Sequence, residues 1–572
     1  MWVNRFCIAS RGLILSIGRR LGKNVFSETT TKVANYNSKL DKLMQQLRDR
    51  ALLDVQYTVQ QMREDLSLDS LVYAGGVGLI KGKTCLDGTR TEILKEIVDW
   101  INNTDPAAPR IFWLRGQAGK GKSAIAHTIA LQARNLGVLG SCFCFTRVRQ
   151  HEGLHVKLFP TIARDLADRD LRLRPLLAKT ITNDRSLRDT TDVAEQWEKF
   201  IVEPLSRLEG SSTGNIVVVI DALDESGAES TRELVLELLS AGHGNFPGNL
   251  RFLLTSRPLV DICRVLKTTP LIQARSLDDD AESTIGDVQL YISVRLKKLG
   301  GTFVREIPQQ LATESGGVFE WARLACDFIS HPVSVIAKKR LAQIQSHDPG
   351  DGRTLLDKMY TTFLEEITKG QSDVLVMFRS VMQQILWLKK PLPISALNFI
   401  RDMFPRMDDR YPVGDILNMM ASLLCGTDDV STPVRPLHAS FYDFLLDEKR
   451  SREFTIQEGD VHRDLAIASL SVMQTCLCFN ICGLETSYVF NSEVADLEKR
   501  VKENIPPYLL YACQFWANHL EGVGFDTELA QAMGQFVGGE KVLFWLEALG
   551  VSKLIGEADK ALISAERWFQ VR

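Results

Sequence analysis

A chain of 572 residues is too long for a single hydrophobic core and predicts about three to five domains. Its 45% hydrophobic and 24% charged residues are ordinary for a globular protein. A net charge of −3 removes the global basic field expected of a nucleic-acid binder. No apolar run approaches the ~20 residues of a transmembrane segment.

Residues 1–27 carry Arg5, Arg11, Arg19, Arg20 and Lys23 around the apolar "LILSI", with no acid before Glu28. Arg11 interrupts any secretory h-region, and the Arg-rich, acid-poor composition matches a mitochondrial presequence. A disordered basic leader, or the residue of a lost N-terminal domain, is the alternative. The remainder reads as cytoplasmic. Its eleven cysteines form no CxxC pair, as expected of reduced thiols in a reducing compartment. Cys142 and Cys144 alternate with Phe143 and Phe145 like a buried strand. Cys476, Cys478 and Cys482 lie in an apolar stretch read as helical, without a clear fourth metal ligand.

Residues 28–80 form an N-terminal helical segment. Val33, Tyr36, Leu40, Leu43, Leu47, Ala51, Val55, Val59, Met62 and Leu66 fall three or four apart, one apolar stripe on a long helix. Packing on its own protein is the plainer reading, and self-assembly the other. The glycine-rich "YAGGVGLIKGK" then marks a boundary.

"GTRTEILKEIVDWI" predicts an amphipathic helix, broken by "DPAAPR" and followed by the buried strand "IFWL". "GQAGKGKS" comes next: Gly116, Gln117, Ala118, Gly119, Lys120, Gly121, Lys122 and Ser123, with Ala124 opening a helix. Strand, G-x-x-x-x-G-K-S, helix is the context of a P-loop. There backbone N–H groups and a helix N-terminus converge on phosphate oxygens. Lys122 would reach the β- and γ-phosphates, and Ser123 would ligate Mg²⁺. "NIVVVIDALDES" is an apolar strand, Ile216 to Ile220, ending in Asp221, the Mg²⁺ partner. Asp224 and Glu225 follow, either placed to orient or deprotonate water, or simply a solvated acidic loop. "LRFLLTSRP" brings Thr255, Ser256 and Arg257 to the same edge, where a cation could sense the γ-phosphate.

These three motifs, in this order and spacing, resemble the NACHT-type NTPase domain of STAND-class signal-transduction ATPases. The fungal, nephrocystin-like kind is the nearest flavour, and "CLDGTRTEILKEIVDWI" is similar to its lead-in segment. "ESGGVFEWARLACDFI" resembles the helical domain behind the nucleotide site. "PLPISAL" and "VRPLHASFYDFLLD" resemble the winged helix, and "LLYACQFWANHL" and "VLFWLEALG" the helical segment beyond it. The implied fold class is an α/β P-loop NTPase, a parallel sheet with flanking helices, followed by a helical domain, a winged helix and an α-helical C-terminal region. The implied boundaries are 81–275 for the nucleotide-binding domain, 276–350 for the helical domain, 351–450 for the winged helix and 451–572 for the C-terminal helices. His438 matches the winged-helix histidine that contacts ADP phosphate in related closed switches; a structural histidine is the alternative. Related chains usually continue into WD40, ankyrin or TPR repeats, and no period of 20–50 residues is visible here.

The resemblance implies a switch that binds and slowly hydrolyses ATP, with GTP not excluded. ADP would close it and ATP open it for homo-oligomerisation, answering to an unidentified protein partner or ligand in fungal self/non-self recognition or cell death. A metabolic phosphotransferase and a nucleotide-binding scaffold without turnover are the competing expectations.

Overall fold

The computed structural model describes residues 27–105, 107–208, 214–241, 249–267, 272–279, 281–297, 306–330, 334–345, 354–427, 429, 431–486 and 488–570. Residues 1–26, nearly all of the basic leader, lie outside them. The described residues form two compact units, one within residues 1–72 and 167–190 and one within 73–166 and 191–572.

In the first unit the 43-residue helix Ser27–Asp69 runs unbroken through a stretch free of Gly and Pro. Its stripe is exposed over most of its length, with Leu43 57%, Leu47 60% and Leu66 72% exposed. Burial begins only at its last turns, at Glu64 and Leu68. There Asp65 pairs with Arg174 and Ser67 meets Thr182 at 3.2 Å, both on the helix Leu173–Asn183. Packing of the whole stripe on its own protein is therefore corrected to packing of its end.

The second unit is built on five parallel strands: β1 Ile111–Arg115, β2 Leu139–Cys144, β3 Ile216–Asp221, β4 Leu250–Ser256 and β5 Ile272–Ser276, in the order β2-β3-β4-β1-β5. The central strands read as continuous apolar runs because helices cover both faces. Phe112, Val218, Val219 and Leu253 are fully buried. This order places β4 between β1 and β3, so all three motif-bearing strands end side by side at one carboxyl edge.

Among the described residues from Ala281 to Gln570 the elements are helices, with a short antiparallel pair, Leu424–Cys425 with Arg435–Pro436. The stretch read as helical through Cys482 is corrected: the helix Val461–Cys476 stops at Cys476. Leu477 is extended, and Asn480 (φ 52°) and Gly483 (φ 60°) turn the chain. Cys478 is exposed and Cys482 buried, so the three thiols share no face. Every described cysteine is a free thiol, and no described helix is long and apolar enough to cross a membrane.

Candidate functional site

The loop after β1 turns through two left-handed glycines, Gly119 (φ 80°) and Gly121 (φ 88°), and the helix Lys122–Asn135 starts immediately. Gly121 is the N-cap and has no side chain to bond the first turn, so its N–H groups stay directed at the loop. A Cβ on Gly119 would lie 2.9 Å from both Glu320 Cβ and Val318 Cγ1. Glycine is required there by the backbone angle and by the helix Phe319–Ile329 that closes over the loop. Gly116 is tight but less crowded, since its Cβ would meet Leu277 Cβ at 3.2 Å.

Lys122 bends back over the loop and donates to the carbonyls of Gly116 (2.7 Å) and Gln117 (2.9 Å). Burial lowers its pKa, and Asp224 and Asp221 oppose that while Arg257 adds to it. Lys120 points the other way and donates to Gly316 O at 2.8 Å. Gln117 N–H is taken by the Asp278 carboxylate at 3.1 Å, just beyond β5. Ala118, Ser123 and Ala124 are half-buried. A phosphate-sized cradle of backbone donors with a lysine folded across it fits a nucleotide polyphosphate.

Asp221 is buried at the end of β3 and accepts from Thr255 Oγ1 at 2.5 Å. The same hydroxyl accepts from Ala222 N at 3.0 Å. Thr255 thereby fixes one carboxylate oxygen of Asp221 and leaves the other for a hard cation, a donor set that fits Mg²⁺ together with the Ser123 hydroxyl. Ala222 sits in the left-handed region (φ 55°), which starts the turn that carries the two acids.

Those acids have different surroundings. Asp224 accepts from Arg257 N and meets Arg257 Nε, both at 3.1 Å. Glu225 accepts from Arg147 N at 3.0 Å. Burial, with the Asp224 charge beside it, pushes Glu225 up to about 7.

His438 caps the helix Ala439–Leu446. Ser440, Phe441, Phe444 and Leu445 are buried on one face. Tyr360 stacks near Phe441 and Phe444 at 5.0 and 5.3 Å and meets Ser440 Oγ at 2.8 Å. His438 Nδ1 accepts from Ser440 N at 3.2 Å, so the neutral ring carries its proton on Nε2. Burial lowers its pKa against the pull of Glu320, and Lys122 and Arg257 lower it further, which places it in the field of the P-loop cations.

The opposite face of that helix carries Asp443, a residue the motif reading passed over. Asp443 forms ion pairs with Arg257 and with Arg147. Its partners lie 186 and 296 positions upstream, so no local pattern announces it. Arg90 was likewise missed, although it lies in the quoted lead-in segment. It donates to Lys120 O (2.7 Å) and Thr284 Oγ1 (2.8 Å) and stacks 5.0 Å from the centre of Phe319, tying the loop to its helical cover.

Cys142 and Cys144 are joined by His127 from the P-loop helix, the three ligand atoms within 4.8 Å of one another. His127 Nδ1 accepts from Ile80 N at 3.3 Å, which leaves Nε2 to carry the proton toward Cys144 Sγ at 3.9 Å. A metal-bound histidine donates through its second nitrogen instead, and this polarity is that of a hydrogen-bonded thiol cluster.

The family described as Nephrocystin 3, N-terminal, matches residues 88–257, from the lead-in segment to Arg257. No curated protein sequence matches the chain. Among solved structures, a Signal Transduction ATPase with Numerous Domains bearing a tetratricopeptide repeat sensor, from Pyrococcus horikoshii, is 12% identical with a TM-score of 0.36. That match covers 86% of this chain and 66% of that one, just under two thirds of its length. A Walker-type ATPase of Pyrococcus abyssi is 13% identical with a TM-score of 0.29, over 61% of this chain and 93% of that one. The chain carries a nephrocystin-like P-loop NTPase domain, and signal-transduction and Walker-type ATPases are among the solved structures similar to it.

Proposed function

We propose that the protein is a nucleotide-controlled signalling switch that binds and slowly hydrolyses ATP, with an ADP-bound closed state. The observation that carries this reading is Asp443. It sits on the helix read as part of a winged helix, and it pairs with Arg257, the strand-end cation beside the phosphate cradle. Arg257 and Arg147 on the sheet domain are thus restrained by one carboxylate of a later region. A phosphotransferase has no use for such a restraint; a switch does.

In this reading Lys122 leaves the loop carbonyls for the β- and γ-phosphates, and Ser123 and Asp221 hold Mg²⁺. When bound, the ion neutralises charge on the phosphate oxygens. Glu225, poised near neutral pH, is the group suited to take a proton from water, because Asp224 is engaged by Arg257. His438 offers Nε2–H to the β-phosphate of ADP. Loss of Asp443 from Arg257 on exchange for ATP frees the arginine and the later helices together, which permits homo-oligomerisation. Fungal self/non-self recognition or cell death is the output the family resemblance adds.

The test is to identify the nucleotide that co-purifies and to measure mass by light scattering with ADP and with a non-hydrolysable ATP analogue. The expected result is ADP on the isolated protein and a larger particle with the analogue only. Equal mass in both states overturns the switch.

A further inference from the structure

Beside the Asp443 restraint lies a cavity of about 200 Å³. Arg147 lines it from the sheet domain. Trp387, Lys389, Tyr442 and His462 line it from the helical region, together with apolar residues such as Val434. That volume is below the ~300–1,000 Å³ of a drug-sized pocket, so the occupant is compact.

The lining is unbalanced in charge. Arg147 and Lys389 contribute two cations, and no Asp or Glu lines the space. Arg147 spends Nη1 on Asp443 and its backbone N on Glu225, which leaves Nε and Nη2 for a further acceptor. Among the described residues, Lys389 Nζ, Trp387 Nε1 and Tyr442 Oη meet no acceptor, and all three side chains are half-buried. These polar atoms are not among the buried groups left without a partner, so they stay open to a bound acceptor. Trp387 and Tyr442 add flat apolar surface on which a ring can rest. His462 is already occupied, with Nδ1 on His519 at 2.8 Å and Nε2 near Glu458 at 3.3 Å.

We infer that this cavity binds a compact organic anion with a flat apolar body, its charged end between Arg147 and Lys389. Because the ligand would touch the sheet domain and the helical region at once, binding stabilises the arrangement in which both walls are present. It acts as a co-inhibitor that holds the Asp443 restraint in place. This coupling rests on the switch reading above; the binding itself does not.

The experiment uses the full chain saturated with ADP and Mg²⁺, so that the P-loop is filled. Benzoate, and its neutral isostere benzamide, are titrated by calorimetry, and ADP release is timed with and without benzoate. Benzoate is expected to bind and benzamide not, with Lys389→Ala weakening benzoate about tenfold and Tyr442→Phe less. Both variants should keep wild-type ADP affinity, which shows that they fold. Equal binding of benzoate and benzamide, no binding of either, or an unchanged Kd in Lys389→Ala overturns the site. Benzoate should slow ADP release in the wild type and do nothing in Asp443→Ala. If benzoate binds but leaves release unchanged while Asp443→Ala speeds it, the coupling is overturned and the switch stands. If neither affects release, the switch reading itself has failed.

Discussion

Two cations face the same sheet edge and are held in opposite ways. Lys122 is restrained by carbonyls five and six residues before it, within its own loop. Arg257 is restrained by a neighbouring acid, Asp224, and by Asp443, 186 residues later. A local restraint persists however the later helices move, because loop and lysine travel together. A long-range one exists only in one arrangement of the chain. In the switch reading the difference separates capacity from control: the Lys122 restraint is built into the P-loop, whereas the Arg257 restraint depends on where the helical region sits.

The sharpest way to break the comparison is at the local end. Lys122→Ala removes a charge-assisted contact to phosphate worth roughly 1.5–3 kcal/mol, so nucleotide affinity should fall by about tenfold to a hundredfold. Calorimetry should find this loss for both ADP and an ATP analogue, and larger for the analogue, whose γ-phosphate Lys122 also contacts. Wild-type affinity in the variant would remove the P-loop from the mechanism. Next in size is Asp221→Asn. The amide still accepts from Thr255, so the fold should survive, but it cannot replace a carboxylate at a hard cation. Mg²⁺-dependent turnover should drop at least about tenfold while ADP affinity without Mg²⁺ is kept. Unchanged turnover at saturating Mg²⁺ would place the metal elsewhere.

At the long-range end the effect should be smaller and one-sided. Asp443→Ala breaks two ion pairs that are only partly exposed, with side-chain exposures of 35% and 15% for Arg147–Asp443 and 19% and 15% for Arg257–Asp443. ADP release should quicken about tenfold, with ATP-analogue affinity little changed. Asp443→Glu should restore most of the slow release. Equal weakening of both nucleotides would make Asp443 part of the binding floor and erase the distinction drawn here.

This contrast also explains what was legible in the sequence. The P-loop, Asp221 and the strand carrying Arg257 each announce themselves within about ten residues, because strand, glycine turn and helix must follow one another for backbone donors to converge. The parallel sheet and its shared edge followed from those same apolar runs, whereas the strand order came only with the structure. Asp443 and Arg90 were printed inside quoted segments and still passed over, because a carboxylate on a helix face looks the same whether it meets water or an arginine nearly two hundred residues away. The helix ending at Cys476 was overrun because apolar content continued after the backbone had turned at Asn480 and Gly483. The Ser27–Asp69 stripe had the spacing of a packed helix, and spacing alone does not say what covers it.

The smallest expected effect concerns Glu225, which stands between the two ends: its carboxylate accepts from Arg147, and its neighbour Asp224 holds Arg257. Burial raises it from 4.5 to about 7, with the Asp224 charge adding and the Arg147 N–H, Arg257 and Arg147 opposing. Between those two values the folded protein holds a proton that the unfolded chain has released. The stabilising contribution is therefore complete below pH 4.5, declines as pH rises, and is gone above about pH 7. Glu225→Gln keeps an oxygen for the Arg147 N–H and cannot ionise. It should therefore match the wild type at pH 5 and exceed it at pH 8 by roughly 1–2 kcal/mol, a rise of about 1–4 °C in Tm for the domain concerned. The measurement is a pair of thermal melts of nucleotide-free protein at the two pH values. A gap of the same size at both would mean that Glu225 is ionised throughout, and the proton-accepting role would then pass to Asp224.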